Sequence, residues 1–341
     1  MLFYHYYYEK GCGVEQVYDQ KKWYRVTVDL KMMRVLTQRQ DARPMRDMVL
    51  WLAFMACFAG LVIAFRESWS SALFLLCYGI LYGSASASRE HETGHMTAFK
   101  TKRWNTLFHH IASFMLLRER FARLNGHHAH HKHTIHTEKD PEIVTPNPPK
   151  ILAMTLNLLQ IQKTAVALRS IGLHAFGLLA PGDVGMLFEK VPRAVRTTSQ
   201  AWLGLIVLSV VTAIYLQSWL PVVLVGPLPT MFGGTLQHVF ATTQHTGLAS
   251  NVFEHRLNTR TIYFGPIMRF IYSNMNYHLE HHLFPNVPYY NLPKLHELIK
   301  DQCPPAYSGL GMTLLHVIMA LARQMREPGF FVQRELPPVS Q

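Results

Sequence analysis

Charge is scarce in this chain. Of 341 residues only 16% are Asp, Glu, Lys or Arg, against roughly a quarter in soluble domains. Cysteine is scarcer still: Cys12, Cys57, Cys77 and Cys303 form no C-x-x-C pair. That excludes a disulfide framework and a thiolate metal site, and leaves four small buried hydrophobes in a reducing compartment. The opening "MLFYHYYYEKGCG" lacks a basic start followed by an apolar core, so no signal peptide is expected. Acidic residues are outnumbered, 21 against 33 Lys and Arg, for a net charge of +12. The basic residues flank apolar runs instead of clustering among aromatics. This excludes nucleic acid as a partner and points to a membrane surface.

Long apolar runs are plentiful. Met48 to Phe65, "MVLWLAFMACFAGLVIAF", is 18 residues without a charge, just long enough to cross a ~30 Å hydrocarbon layer as a helix. Trp69 to Gly83, "WSSALFLLCYGILYG", follows after "RES". A second pair is Ala201 to Leu216 and Trp219 to Gly234, whose Pro and Gly residues are tolerable in a membrane bundle. Each pair reads as a helical hairpin, so four transmembrane helices are predicted at 48–65, 69–83, 201–216 and 219–234. Any one run alone would also suit a buried helix of a soluble protein; two tandem pairs argue against it. Nine Lys/Arg precede Met48, fifteen lie between Ser84 and Gln200, and eight follow Gly234, while the hairpin tips share only Arg66. The positive-inside rule then puts both termini and the central segment in the cytoplasm, of a bacterial inner membrane or an endoplasmic reticulum. The runs "WNTLFHHIASFMLL", "ILAMTLNLLQIQKTAVAL" and "SGLGMTLLHVIMALARQM" read as interfacial helices. The expected fold is all-α and integral to a membrane, with a cytoplasmic helical cap. Its parts are an N-terminal arm (1–47), a membrane domain (48–296) and an amphipathic tail (297–341).

Histidine is the abundant polar residue. There are 20, and ten fall between His91 and His136. "HETGH" carries His91 and His95. "HHAHHKHT" contains His127, His130 and His131 as H-x-x-H-H, and "NYHLEHHLFP" repeats that spacing with His278, His281 and His282. A helix turns about 100° per residue, so positions i, i+3 and i+4 share an arc of about 100°. Each triplet therefore presents three imidazoles on one face, and His91 with His95 presents two. A ninth candidate is His245 in "QHTG", with His238 and His255 as rivals. His109, His110, His128, His133 and His136 read as hydrogen-bonded or surface residues. His5, His174, His296 and His316 have no patterned neighbours.

"HETGH" taken alone is the H-E-x-x-H motif of zinc proteases, with Glu92 as general base. That reading leaves both H-x-x-H-H boxes unexplained. A carboxylate-rich di-iron site needs two Glu-x-x-His motifs, and only Glu92 with His95 supplies one. A metal carrier explains the density but not the repeated spacing. Eight or nine ligands are too many for one ion; two ions would use them and keep open positions. Imidazole suits iron, zinc and copper alike, but zinc has no redox chemistry. Asp140, Glu142 and Glu280 are candidates to orient ligating rings, although Asp140-Pro141 equally suits a helix stop. Asn276 is a candidate to hold a water at the metals.

The order H-x3-H, H-x2-HH, a lone His, then H-x2-HH, set around two apolar hairpins, resembles the integral-membrane fatty acid desaturase and hydroxylase superfamily. The resemblance covers Met48 to His296. The phrases "TGHMTAFKT", "ASFMLLRERF", "KDPEI", "RLNTRT" and "NMNYHLEHHLFPNVPYYNLPKLH" resemble a bacterial-type branch that includes rhizopine-catabolism proteins. The resemblance implies a non-haem di-iron centre: two iron ions held by histidine, with O2 as co-substrate and two electrons to attack an unactivated C–H bond. By position it implies as metal ligands His91, His95, His127, His130, His131, His245, His278, His281 and His282. No cytochrome b5-like module is visible, so a separate electron donor, ferredoxin- or cytochrome b5-like, is expected. The expected reaction is desaturation of a lipid acyl chain that reaches the metals from the bilayer in a dry slot. Hydroxylation of an alkyl or small amine-bearing molecule on the same metals is the alternative. The basic face suits a phosphate-bearing headgroup or an acidic redox partner.

Overall fold

The computed structural model describes residues 23–181 and 189–337, so His5, Cys12 and the start of the N-terminal arm lie outside the described residues. A short α1 (Leu30–Leu36), capped by Asp29, leads into α2 (Ala42–Ala64). A tight turn then reverses the chain into α3 (Ser70–Gly94). These two helices have 23 and 25 residues, and at ~1.5 Å per residue each is at least ~35 Å long, enough to span a bilayer. α3 carries a six-residue π-helical segment, Ile80–Ala85, without interruption. It therefore does not end at Gly83 as predicted but continues through "SASREHETG" to Gly94. The apolar run ends where polar residues begin; the backbone hydrogen bonding goes on and carries His91 to the end of the helix.

The chain continues through α4 (Lys102–Leu116), α5 (Arg120–Lys132), α6 (Ile151–Leu158), α7 (Ile161–Ala175) and the 23-residue α8 (Arg193–Tyr215). It returns through α9 (Leu220–Leu224), α10 (Pro227–Gly233) and α11 (Thr235–His245). The remainder is α12 (His255–Asn258), α13 (Pro266–Ile271), α14 (His278–Leu283), α15 (Leu292–Ile299) and α16 (Leu310–Gln324). Among the described residues there is no strand, only isolated bridges joining Thr261 to Tyr277 and Ile262 to Tyr307.

Among the described residues three helices, α2, α3 and α8, are long and apolar enough to cross a membrane; α6 and α7 make a fourth candidate if their 72° bend is taken as one broken span. The run 219–234, predicted as the fourth span, is not one helix. Gly226 sits at φ +94°, and Pro221, Pro227 and Pro229 lack the N–H a continuous helix needs. The α6–α7 segment, expected to lie along the headgroups, has together the length and composition of a span but is bent by 72°. α2 leaves Val49, Leu50, Phe54 and Ile63 exposed, and α8 leaves Val207, Leu208, Val211 and Ile214 exposed. Stripes of this kind on membrane-length helices suit lipid.

Where the returning arm crosses α3, backbones touch. A Cβ built on Gly83 would lie 2.5 Å from the Gly233 carbonyl carbon, and one on Gly233 would lie 1.8 Å from the Gly79 oxygen. Ser84 Oγ donates to the Gly233 oxygen at 2.5 Å and accepts from Gln237 N–H at 2.9 Å. Small residues thus let α11 descend beside the π segment of α3. One buried cluster joins Val26 and Leu36 of the arm, Trp51, Tyr82 and Phe108 of the helices, and Leu292, Leu295, Ile299 and Cys303 near the C-terminus. Cys57, Cys77 and Cys303 carry no disulfide.

Candidate metal centre

Four elements deliver histidine to one place. The last turn of α3 and its C-cap supply His91 and His95. The second box lies on α5, which closes when Thr134 Oγ1 caps the His130 carbonyl at 2.8 Å. His245 is the last residue of α11. The third box is α14, six residues long and stopped just before Pro285.

The nine imidazoles fall into two groups. His91, His95, His127, His131 and His281 form one, and His130, His245, His278 and His282 the other; within each, the ligand atoms lie within 4.8 Å of one another. The two H-x-x-H-H boxes divide in opposite senses. α5 gives positions i and i+4 to the first group and i+3 to the second, while α14 gives i+3 to the first and i and i+4 to the second. On a helix i and i+4 stand nearly above one another while i+3 is turned to the other side. Each helix therefore serves both groups.

Ring nitrogens meet at close range: Nε2 of His95 and His127 at 2.9 Å, His127 and His131 at 3.1 Å, His131 and His281 at 3.0 Å. In the second group His245 and His278 are 3.0 Å apart, and His278 and His282 3.1 Å. On five of the nine rings the opposite nitrogen faces an acceptor. Nδ1 of His130 faces Asp140 Oδ2 at 2.8 Å, His127 faces Glu142 at 3.2 Å, and His91 faces Glu92 at 3.1 Å. His245 Nδ1–H donates to the Asn258 carbonyl at 2.8 Å, and His282 Nδ1 faces Thr134 Oγ1 at 3.2 Å. A proton on Nδ1 leaves Nε2 with a bare lone pair. Lone pairs converging at about 3 Å repel unless a cation lies between them, and nitrogens about 2.1 Å from one ion have that spacing. His91 Nε2, buried with no partner among the described residues, fits the same reading. The residues fit a pair of ions.

Electrostatics favours the ligand form. Burial pushes His95 and His245 down to about 3, and holds His127, His131, His278, His281 and His282 well below the usual imidazole range, with neighbouring histidines adding to it. Neutral imidazole is the state that binds metal.

Several expected roles fall differently. His238 joins neither group; its Nδ1 is 3.1 Å from Lys163 Nζ. His255 also stays outside, stacked on Trp23 at 3.9 Å and 5.1 Å from His282 ring to ring. Glu280 does not orient a ligand: it accepts from Thr261 at 2.6 Å and faces His296 Nδ1 at 2.5 Å. Asn276 donates to the Ile262 carbonyl at 2.7 Å. Glu92 is buried between His91 and the Tyr289 N–H (3.2 Å), so it is not the free base a zinc protease needs. Sequence reasoning missed Thr134, the Asn258 carbonyl, Gln244 (3.4 Å from His278 Nδ1) and Arg123, which bridges Glu90 and Glu142.

A cavity of about 480 Å3 adjoins the histidines, with His91, His127, His130, His245 and His278 in its wall. It is not the dry slot expected. Ile143, Val144, Leu248 and Met275 line it together with Arg118, Asn157, Gln160, Lys163 and Gln237. Membrane-length helices around a centre of nine imidazoles define a class of multi-histidine membrane proteins. A family model described as fatty acid desaturase matches residues 67–313, well over half of the chain, and the chain belongs to that family. The family implies an oxidoreductase, and its members usually hold two irons through histidine clusters of this kind. No curated protein matches the chain.

Proposed function

We propose that the protein is a membrane-bound non-haem di-iron oxidoreductase that uses O2 and two electrons to desaturate a lipid acyl chain. The observation that carries this reading is the division of nine imidazoles into a group of five and a group of four beside one cavity. Two irons held there supply the oxidising power to take hydrogen from an unactivated C–H bond. The reaction balances when two hydrogens from adjacent carbons, two protons and two electrons reduce O2 to two waters.

The chain's own residues have three tasks. Asp140, Glu142, Glu92 and the Asn258 carbonyl hold the rings by Nδ1. The histidines in the cavity wall face the substrate's reacting carbon. Lys163 and Arg118 offer positive charge to a polar end of the substrate. A cytoplasmic location of both termini and of the histidines follows from the charge distribution, and a separate ferredoxin- or cytochrome b5-like donor brings the electrons.

Hydroxylation on the same metals is the second reading. Its amine-bearing version is disfavoured by the cationic lining of the cavity, which opposes an ammonium group. Mass spectrometry of lipids from cells with and without the gene separates the outcomes: loss of two hydrogens supports desaturation, and gain of one oxygen overturns it in favour of hydroxylation. Purified protein is expected to hold two irons per chain. A single zinc, with His282→Ala still active, would overturn the di-iron reading.

A further inference from the structure

We propose that a second pocket, at the foot of α2 and away from the nine histidines, binds the phosphate group of an anionic bilayer lipid. The pocket is about 330 Å3 in volume, and Arg43, Arg46, Arg89 and Arg269 line it with Asp47 and Tyr289. Four guanidiniums thus face one carboxylate, and that carboxylate is already engaged. Asp47 accepts from Arg46 at 2.8 Å and from the Tyr289 hydroxyl at 2.7 Å. Arg269 donates to a neutral acceptor, Asn274 Oδ1, at 2.8 Å. Arg43 lies over the Tyr290 ring, 5.4 Å from its centroid, with no ion pair among the described residues.

Arg89 carries the argument furthest. It is 2% exposed, and its Nη atoms donate only to backbone carbonyls: Ala85 at 2.8 Å, and Ile271 and Phe270 at 3.1 Å each. Its Nε is buried with no partner, and no carboxylate pairs with it among the described residues. A buried guanidinium answered by carbonyl dipoles and by the faces of Trp51 and Phe270, each 5.0 Å away, but by no anion, is costly, and an anion in the pocket would offset that cost. The planar fork of arginine matches the oxygens of phosphate. The opposite wall is held in an uncommon backbone state, with Ser273 and Asn274 both at positive φ (+46° and +54°), as happens where local strain is kept for a purpose.

The rim identifies the source of the phosphate. Pro266, Phe270 and Met48 line the pocket, and Val49, Leu50 and Ile267 are exposed beside it, Ile267 at 73%. The pocket opens where a membrane-length helix begins. Uncovered apolar side chains beside arginines at the end of a span describe headgroup depth, whereas a water-borne phosphate compound would gain nothing from them. The pocket is also joined to the histidines. Tyr289 gives its hydroxyl to Asp47 and its N–H to Glu92, whose other oxygen meets His91.

The test uses the full-length protein with its native metal complement, stripped of lipid in a neutral detergent. Phosphatidylglycerol, phosphatidylcholine and inorganic phosphate are titrated separately and bound lipid is counted by native mass spectrometry. One phosphatidylglycerol per chain is expected, held at least about tenfold more tightly than phosphatidylcholine. The double variant Arg46→Gln/Arg269→Gln, altered only at the rim, should lose that preference with metal content and melting temperature unchanged. Equal retention of the two lipids would overturn the proposal. So would a preference that survives in the double variant, or binding of inorganic phosphate without any lipid preference.

Discussion

Single acceptor atoms decide how the histidines point. Asp140 fixes His130 and at the same time accepts from the Ile135 and Glu142 N–H groups, all at 2.8 Å. Asp140→Ala is expected to lower metal affinity about 10- to 100-fold, measured by competition with a chelator of known affinity, while the helix content stays as in the parent protein. The convergence of the two H-x-x-H-H boxes was legible, because i, i+3 and i+4 spacing is a property of one helix and shows in one line of sequence. The groups that hold the rings were only half legible. Asp140 and Glu142 lie close after their box, but Asn258 and Gln244 hold rings 13 and 34 positions away in sequence, and Glu280, inside a box, turns to His296. Acidity follows from the same burial. In the metal-free protein His95 and His245 stay neutral down to about pH 3 when folded, but take up protons near 6.5 when unfolded. Their folded pKa is depressed below the unfolded one, so their cost to stability is absent above about pH 6.5 and grows as pH falls from there toward 3. Thermal melts of the metal-free protein should therefore drop steadily below pH 6.5, and a flat profile between 7 and 4 would contradict the burial described.

At the level of elements, the crossing of α3 by the returning arm is the tightest joint. Gly233→Ala would place a methyl 1.8 Å from the Gly79 oxygen, backbone that has no freedom to swing away. A loss of about 1–3 kcal/mol is expected from such overpacking, read as a lower melting temperature and a reduced metal content, because His245 rides on the helix this joint positions. Gly172→Ala, with nothing within 4 Å of the new atom, is the control and should leave both unchanged. Helix existence was legible here from apolar runs, but helix continuity was not. The run ended at Gly83, where the apolar residues end, although α3 goes on for another eleven residues to Gly94. The run from Trp219 to Gly234 looked continuous because Pro and Gly are permitted in membrane bundles, yet three prolines and Gly226 divide it.

Across the whole molecule, everything is arranged so that one end of the bundle gathers chain from residue 91 to residue 282. The cavity that meets it is lined by Lys163 and His238, and His238 lies seven residues before His245 on the same helix, or about 10.5 Å along its axis. Lys163→Met is expected to raise KM for a substrate with an anionic end several-fold while leaving iron content and kcat little changed. A fall in kcat with KM constant would assign Lys163 to another task. This wall had no signature in the sequence, since Lys163 and His238 come from different segments and neither belongs to a motif.

The uneven sharing of rings has a consequence for how the centre fills and empties. One compartment has five imidazoles and the other four, so two ions held there would not behave as twins, and the poorer compartment would grip its ion more loosely. Because α5 and α14 each lend rings to both compartments, emptying one leaves both helices still tethered by its neighbour. Titration with a chelator should accordingly run in two stages, with a half-filled protein standing as a distinct, folded species between them.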